Sequence, residues 1–233
     1  MPPTATQNTN RNAVSIPLAI IAAGAMIAAA VYFGGGKAII GGNPLPNDAS
    51  QVKIEPVSNA DHLFGSRNAE VVIIEYSDLE CPFCKAFHST MHQIVDMYQG
   101  RVAWVYRHFP IAELHSRAHK EAEASECAFD QGGNDTFWKY IDKVFAITGT
   151  NNTLDPAELP KIAQSLGLDV AKFNECLSSG KYAEAINKSV EASIAAGALG
   201  TPYSIIVKGD RKIEINGAEP FESIKAKIDS LLK

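Results

Sequence analysis

Two cysteines with two residues between them stand in the segment Cys81-Pro82-Phe83-Cys84, a spacing typical of redox-active pairs. The apolar residues that follow recur at helical spacing, which predicts a helix that begins at these cysteines. Side chains at positions i and i+3 of a helix lie about 5–6 Å apart at Cβ, so the two sulfurs can close into a disulfide. The helix N-terminus presents unpaired N–H groups and positive partial charge to Cys81, which favours its nucleophilic thiolate. Cys84 lies one turn deeper, so we predict that Cys81 attacks and Cys84 resolves.

A carboxylate precedes this pair on a predicted buried strand. Glu75 lies in the β-branched run Val71–Tyr76, and a buried carboxylate is costly unless it is paired or functional. We interpret Glu75 as a group that relays a proton to Cys84 when a mixed disulfide resolves. The alternative is a structural carboxylate that pairs with Arg107 or Lys85.

A zinc site and a purely structural bridge are the other interpretations of the cysteine pair. A structural zinc site normally needs a second pair of closely spaced ligands, and Cys127 and Cys176 are far apart in the sequence. Two histidine pairs have the i, i+4 spacing of metal ligands on a helix: His88 with His92, and His115 with His119. Because no third ligand is evident in the sequence, we interpret them as surface or capping residues and expect no metal and no cofactor.

The N-terminal residues bear on the compartment. Residues 13–33 form an uncharged run of 21 residues, which is long enough for the roughly 30 Å core of a bilayer. We interpret this run as an uncleaved single-pass anchor that follows a cytoplasmic tail, residues 1–12; a cleaved signal peptide is the alternative. Residues 34–60 are rich in Gly, Pro, Asn and Ser and predict a flexible linker. Either interpretation places residues 61–233 outside the cytoplasm.

Disulfides persist outside the cytoplasm. We therefore expect Cys127 and Cys176 to form a structural disulfide, with two buried thiols as the alternative. The net charge of −5 and the lack of a basic cluster in the sequence argue against a nucleic-acid partner.

The order of predicted elements is a β–α–β unit, a helical insert and a β–β–α unit. Strands are predicted at 71–76, 102–108, 203–207 and 212–216, and helices at 82–98, within the insert at about 114–198, and at 220–232. This order predicts an α/β fold with a central mixed sheet flanked by helices.

Five segments of the sequence carry a family resemblance: EYSDLECPFC (75–84), VYRHFP (105–110), HSRAHKEAEASECAFDQGG (115–133), FWKY (137–140) and GTPYSIIV (200–207). In this order they resemble the thioredoxin-fold superfamily and, within it, the DsbA-like thiol–disulfide oxidoreductases. The resemblance covers about residues 55–233. It implies a thioredoxin-like fold in which the helical insert forms a lid domain.

The resemblance also implies roles for individual residues. Cys81 is then the nucleophile, Cys84 the resolving cysteine and Glu75 the buried carboxylate beneath the active site. Pro202 corresponds to a cis-proline that faces the disulfide, and the backbone of Thr201 to a group that holds an extended substrate.

Pro82 and Phe83 complete the substrate-binding residues that the resemblance implies. Phe83 is a departure from the family pattern, because the strongly oxidising members have a histidine between the cysteines. A phenylalanine donates neither a hydrogen bond nor a charge to the thiolate, so the direction of the redox reaction stays open.

These observations predict a membrane-anchored, extracytoplasmic thiol–disulfide oxidoreductase. The expected partners are cysteine-containing exported proteins, a membrane redox partner that recycles the cysteine pair, and the membrane itself through the N-terminal helix. A disulfide isomerase or reductase of the same fold is one alternative. A tethered module that holds unfolded chains without turnover is another.

Overall fold

The structure of this chain is a computed structural model, and it describes residues 53–233. The predicted tail, the predicted anchor and most of the predicted linker therefore lie outside the described residues. Between residues 53 and 233, no helix combines the length and the apolar character that a membrane span requires.

A five-stranded mixed sheet forms the centre of the described domain. Its strands are β1 (His62–Gly65), β2 (Val71–Ser77), β3 (Val102–His108), β4 (Tyr203–Lys208) and β5 (Arg211–Asn216). Their spatial order is β1-β3-β2-β4-β5, so β2 lies in the middle. β2 pairs parallel with β3 and antiparallel with β4, and both edge strands pair antiparallel. The short strand β1 is an addition to the predicted elements.

Six helices pack around this sheet within residues 53–233: α1 (Pro82–Met97), α2 (Ala118–Ile147), α3 (Glu158–Ser165), α4 (Val170–Ser179), α5 (Ala183–Ala195) and α6 (Phe221–Leu232). Helix α1 connects the parallel strands β2 and β3. Helices α2 to α5 lie between β3 and β4, where the sequence predicts the helical insert. Gly133 divides α2 into two helical segments, because its φ of 69° lies in the left-handed region.

Both faces of β2 are buried, because successive side chains of a strand point to opposite faces of the sheet. Val71 and Ile73 pack with residues of α1 and α2, whereas Ile74 and Tyr76 pack on the opposite face of the sheet. Each fully buried aliphatic side chain of this kind contributes about 1.5–3 kcal/mol. The strand that leads to the cysteine pair is therefore held firmly on both sides.

A disulfide joins Cys127 on α2 to Cys176 on α4, with a sulfur–sulfur distance of 2.01 Å. The two cysteines are 49 residues apart, and closing a loop of this length in the unfolded chain contributes about 4 kcal/mol in the chain-entropy estimate. The sequence leaves two alternatives open for these cysteines, a structural disulfide or two buried thiols, and the structure has the disulfide.

Candidate active site

Cys81 and Cys84 lie where the central strand β2 leads into α1. Cys81 is the capping residue of α1, with extended backbone, and Pro82 occupies the first turn of the helix. A proline is well suited to this position, because it lacks an N–H group that would have no partner in the helix. Both cysteines are free thiols, and both are buried, Cys84 completely.

The two thiols differ in their electrostatic surroundings. The hydrogen bond between the thiols is the main cause that lowers the pKa of Cys81 to about 6; burial opposes it, and the backbone N–H groups of Cys84 and Phe83 reinforce it. Burial raises the pKa of Cys84 well above its usual value, and the neighbouring Cys81 raises it further. At neutral pH Cys81 is therefore the nucleophilic thiolate, while Cys84 stays protonated.

The loop before β4 contacts Cys81 directly. The Thr201–Pro202 peptide bond is cis, and the Cys81 thiol lies 3.4 Å from the carbonyl oxygen of Thr201. Phe83 is 63% exposed beside the cysteines, and Leu199, two residues before Thr201, is 96% exposed. The Cys81 sulfur therefore has a backbone acceptor from the loop before β4, and exposed apolar side chains lie near both segments in the sequence.

Glu75 lies on β2, buried on the face that packs against α1. It is in register with Tyr106 of β3 and Ser204 of β4, so it lies in the middle of the sheet. Burial raises the pKa of Glu75 to about 8, and its Oε2 atom has no hydrogen-bond partner among residues 53–233. A carboxyl group with this pKa can both give and take a proton near neutral pH.

The alternative interpretation of Glu75, a carboxylate paired with Arg107 or Lys85, is wrong. Arg107 is in register with Tyr76, so it lies on the face of the sheet opposite to Glu75. Its Nε donates to Asp61 over 2.8 Å. Lys85 donates instead to the carbonyl oxygen of Thr148.

A family model described as thioredoxin matches residues 58–230. The chain belongs to this thioredoxin family. Among solved structures, this thioredoxin domain is similar to DsbA2 from Pseudomonas aeruginosa, with 30% identity and a TM-score of 0.63 over 76% of this chain and 97% of that one. It is also similar to α-DsbA1 from Wolbachia pipientis, with 25% identity and a TM-score of 0.65 over 78% and 95% of the two chains. These structural neighbours support a disulfide oxidoreductase role.

The curated relatives of this thioredoxin domain are much longer proteins. The sequence is 33% identical to a Na(+)/H(+) antiporter, NhaA 3 from Salinispora tropica, over 77% of this chain and 26% of the antiporter. A second antiporter, NhaA 1 from Salinispora arenicola, matches at 32% identity over the same shares. The chain thus spans about a quarter of the length of the curated relatives it matches.

Buried carboxyl groups directly before the cysteines in the sequence form part of the site that the sequence analysis missed. Asp78 accepts hydrogen bonds from the backbone N–H groups of Glu80 and Ile111, both at 2.8 Å, and lies 2.9 Å from Nδ1 of His115. Glu80 accepts from the backbone of Asn152 over 2.6 Å. The sequence Ser77-Asp78-Leu79-Glu80 reads as a polar turn, although two acids next to a buried strand could have indicated this network.

Helix α2 adds another acid to this network. Burial and, after it, the nearby Glu80 together raise the pKa of Glu121 to about 9. Glu121 is therefore protonated at neutral pH in this thioredoxin domain. Its proton lessens the charge repulsion among Glu121, Glu80 and Asp78.

The prediction of ordinary surface histidines is wrong for His88 and His115, which are both buried. His115 is held by Asp78; burial opposes its charge, but the contact with Asp78 outweighs burial and raises the pKa of His115. His88 is held by Asp142, since its Nε2 lies 2.7 Å from the carboxylate. Tertiary structure supplies these acidic partners, and the sequence spacing shows none of them.

The lowered pKa of Cys81 is testable by thiolate absorbance near 240 nm in the reduced full-length chain. We expect a transition with its midpoint near pH 6. Cys81→Ser should remove it, and Cys84→Ala should move it to higher pH because the main hydrogen bond is lost. The reduced folded chain should also gain stability over Cys81→Ser as pH rises from about 6 to about 9. A native midpoint near pH 9 would contradict this arrangement.

The raised pKa of Glu75 predicts a pH-dependent penalty on stability. Between pH 4.5 and about 8 the folded state binds this proton more tightly than the unfolded state, so stability falls as pH rises through this window. The free energy of unfolding of the reduced chain can be measured in urea at several pH values. As pH rises through this window, we expect the value for the native chain to fall below that for Glu75→Gln by roughly 1.4 kcal/mol per unit of pKa shift. The exposed Glu113→Gln variant is the matched control and should follow the native chain. If the free energy of unfolding of Glu75→Gln has the same pH dependence as that of the native chain, Glu75 has an ordinary pKa.

Proposed function

We propose that this chain is an extracytoplasmic, membrane-anchored thiol–disulfide oxidoreductase that forms disulfides in exported proteins through Cys81 and Cys84. The observation that carries the proposal is the asymmetry of the pair at the start of α1. One sulfur is stabilised as a thiolate beside the backbone of Thr201, and the other is buried and protonated. The DsbA-type structural neighbours support the same role.

The reaction begins with the Cys81–Cys84 disulfide and a substrate thiolate. The substrate sulfur attacks Cys81, the Cys81–Cys84 bond breaks, and a mixed disulfide between the substrate and Cys81 forms. Cys84 leaves with the electron pair and takes up a proton, which Glu75 can supply. A second substrate thiolate then attacks the substrate sulfur of the mixed disulfide and releases Cys81 as a thiolate. Two electrons pass from the substrate to the cysteine pair, and a membrane redox partner removes them to restore the disulfide.

The lowered pKa of Cys81 favours the oxidising direction over reduction. A thiolate that the protein stabilises is a good leaving group in the second step, and it makes the reduced form more stable. The side chain of Phe83 adds neither charge nor hydrogen bond, so the thiolate depends on Cys84 and on the backbone N–H groups of α1. These are fixed parts of the helix, and they act in place of a histidine at this position.

The extracytoplasmic location rests on two observations. The uncharged run at residues 13–33 has the length of a membrane span. The Cys127–Cys176 disulfide suits an oxidising compartment, since cytoplasmic proteins seldom keep structural disulfides.

The redox potential of the full-length chain in detergent, equilibrated with glutathione buffers, tests the direction of the reaction. We expect a potential above that of thioredoxin, about −270 mV. At pH 7 a fall in the pKa of Cys81 from 9.0 to about 6 stabilises the reduced form about tenfold, which raises the potential by about 30 mV. Phe83→His should raise it further. A potential at or below that of thioredoxin would favour a reductase or isomerase, and the lack of any reversible titration would contradict the enzyme.

Trapping of mixed disulfides in cells tests the substrates and the compartment. Cys84→Ser leaves Cys81 without its resolving partner, so we expect covalent complexes with cysteine-containing exported proteins that reductant releases. Cys81→Ser is the control and should trap none. Complexes with cytoplasmic proteins alone would contradict the location. Binding of unfolded chains that is equal in both variants, with no covalent complex, would indicate a holding module.

A further inference from the structure

A cluster of two histidines and one aspartate lies outside the redox pair. His88 and His92 are one turn apart on α1, and Asp142 lies on the second segment of α2. Nε2 of His88 lies 2.7 Å and Nε2 of His92 lies 3.1 Å from the same Oδ1 atom of Asp142. The two Nε2 atoms are 3.2 Å apart. Three potential ligand atoms therefore converge on one point.

Aromatic side chains fix the orientation of both rings. The ring centre of His88 lies 4.6 Å from Phe145 and 5.2 Å from Trp104. The ring of His92 packs edge-on against Phe64 at 4.5 Å. The ring nitrogens therefore keep their direction without help from a ligand, which is the preorganisation that a binding site requires.

Hydrogen bonds do not account for this triangle of atoms. Three close contacts join the two nitrogens and the oxygen, but the imidazole rings have at most two Nε2 protons to share among them. If both nitrogens carry protons, nothing accepts at the contact between His88 and His92. If one nitrogen is bare, its lone pair faces the Asp142 carboxylate. A cation between the three atoms satisfies all three lone pairs.

The distances suit a transition-metal ion. Ligands of a tetrahedral zinc ion lie about 2.0–2.1 Å from the metal, which places neighbouring ligand atoms about 3.3 Å apart. Two of the observed separations, 3.1 and 3.2 Å, are close to that value, and the third, 2.7 Å between His88 and Asp142, lengthens by about 0.6 Å when an ion enters. Imidazole nitrogen and carboxylate oxygen are the ligands that zinc and its first-row neighbours bind. The side chains of His92 and Asp142 are 26% and 42% exposed, so the cluster is open to solvent on one side.

We propose that His88, His92 and Asp142 form a binding site for a divalent transition metal, zinc foremost, with water in the fourth position. The ion joins the middle of α1 to the second segment of α2, and so attaches the helix that carries the cysteines to the helical insert. The site uses none of the active-site residues, so the proposal of a metal site is independent of the proposed oxidoreductase function.

A second cluster, formed by His62, His108 and Glu126, is a weaker candidate. All three side chains are nearly buried, and His108 Nε2 also lies 3.2 Å from the hydroxyl group of Ser125. The ring of His62 stacks on Phe137 with ring centres 3.5 Å apart. These contacts describe a packed polar core, and they make the cluster a useful competing location in the test.

The test uses the full-length chain in detergent, purified with a tag that contains no histidine and oxidised so that the Cys81 and Cys84 thiols cannot bind metal. We expect one equivalent of Zn²⁺ by competition with a chromophoric chelator, and a melting temperature that rises with Zn²⁺ concentration. Co²⁺ should give the intense visible absorption of a tetrahedral site. His92→Ala and Asp142→Asn should each lower the Zn²⁺ affinity by more than about tenfold. His119→Ala, a half-buried histidine of α2 outside the cluster, is the matched control and should bind as the native chain does.

Three results would overturn the proposal. The first is the absence of stoichiometric Zn²⁺ or Co²⁺ binding by the native oxidised chain. The second is native affinity in both His92→Ala and Asp142→Asn while each variant keeps its circular dichroism spectrum. The third is loss of the ion in Glu126→Gln with native affinity in the other variants, which would place the metal at the second cluster. Redox titration of the same variants should give the native potential.

Discussion

The chemistry of this domain depends on the junction at which the central strand β2 ends and α1 begins. Because β2 pairs with a strand on each side and is buried on both faces, the turn that follows it has a fixed position. Pro82 starts the helix at once, so the free N–H groups of the first turn point at Cys81. The thiolate is thus stabilised first by the Cys84 thiol and then by N–H dipoles that the fold holds in place, and these dipoles need no rearrangement when charge develops.

The same burial that fixes this junction also makes its two cysteines differ. Cys81 and Cys84 are chemically identical, yet Cys84 loses its contact with water and Cys81 receives hydrogen bonds. Burial acts on the carboxyl groups in the same direction, since it raises the pKa of Glu75 to about 8 and that of Glu121 to about 9. Buried acids of this kind destabilise a fold at neutral pH. The sheet contacts of β2 and the Cys127–Cys176 disulfide offset that cost.

The sequence predicted the elements whose residue patterns are local. The β-branched run at Val71–Tyr76, the strands predicted at 203–207 and 212–216, and the spacing after Cys84 each correspond to an observed strand or helix within about two residues. Strand β1 was missed because its four residues, HLFG, are too short to show alternation. Contacts between distant segments were missed as well. Asp142 lies 54 residues after His88, and no local pattern connects the two.

Gly133 explains how a single helix can contribute to two separate clusters. The first segment of α2 carries Glu121, which lies near Glu80, and the second carries Asp142, beside the histidines of α1. A straight helix keeps one face toward α1 along its length, whereas a residue with φ of 69° changes the direction of the chain between the two segments. With ψ of −163° as well, this conformation is adopted almost only by glycine and costs other residues on the order of 1–3 kcal/mol, so glycine suits the position. Helix α2 can thus contribute Glu121 to the buried acids around Glu80 and Asp142 to the histidine cluster of α1.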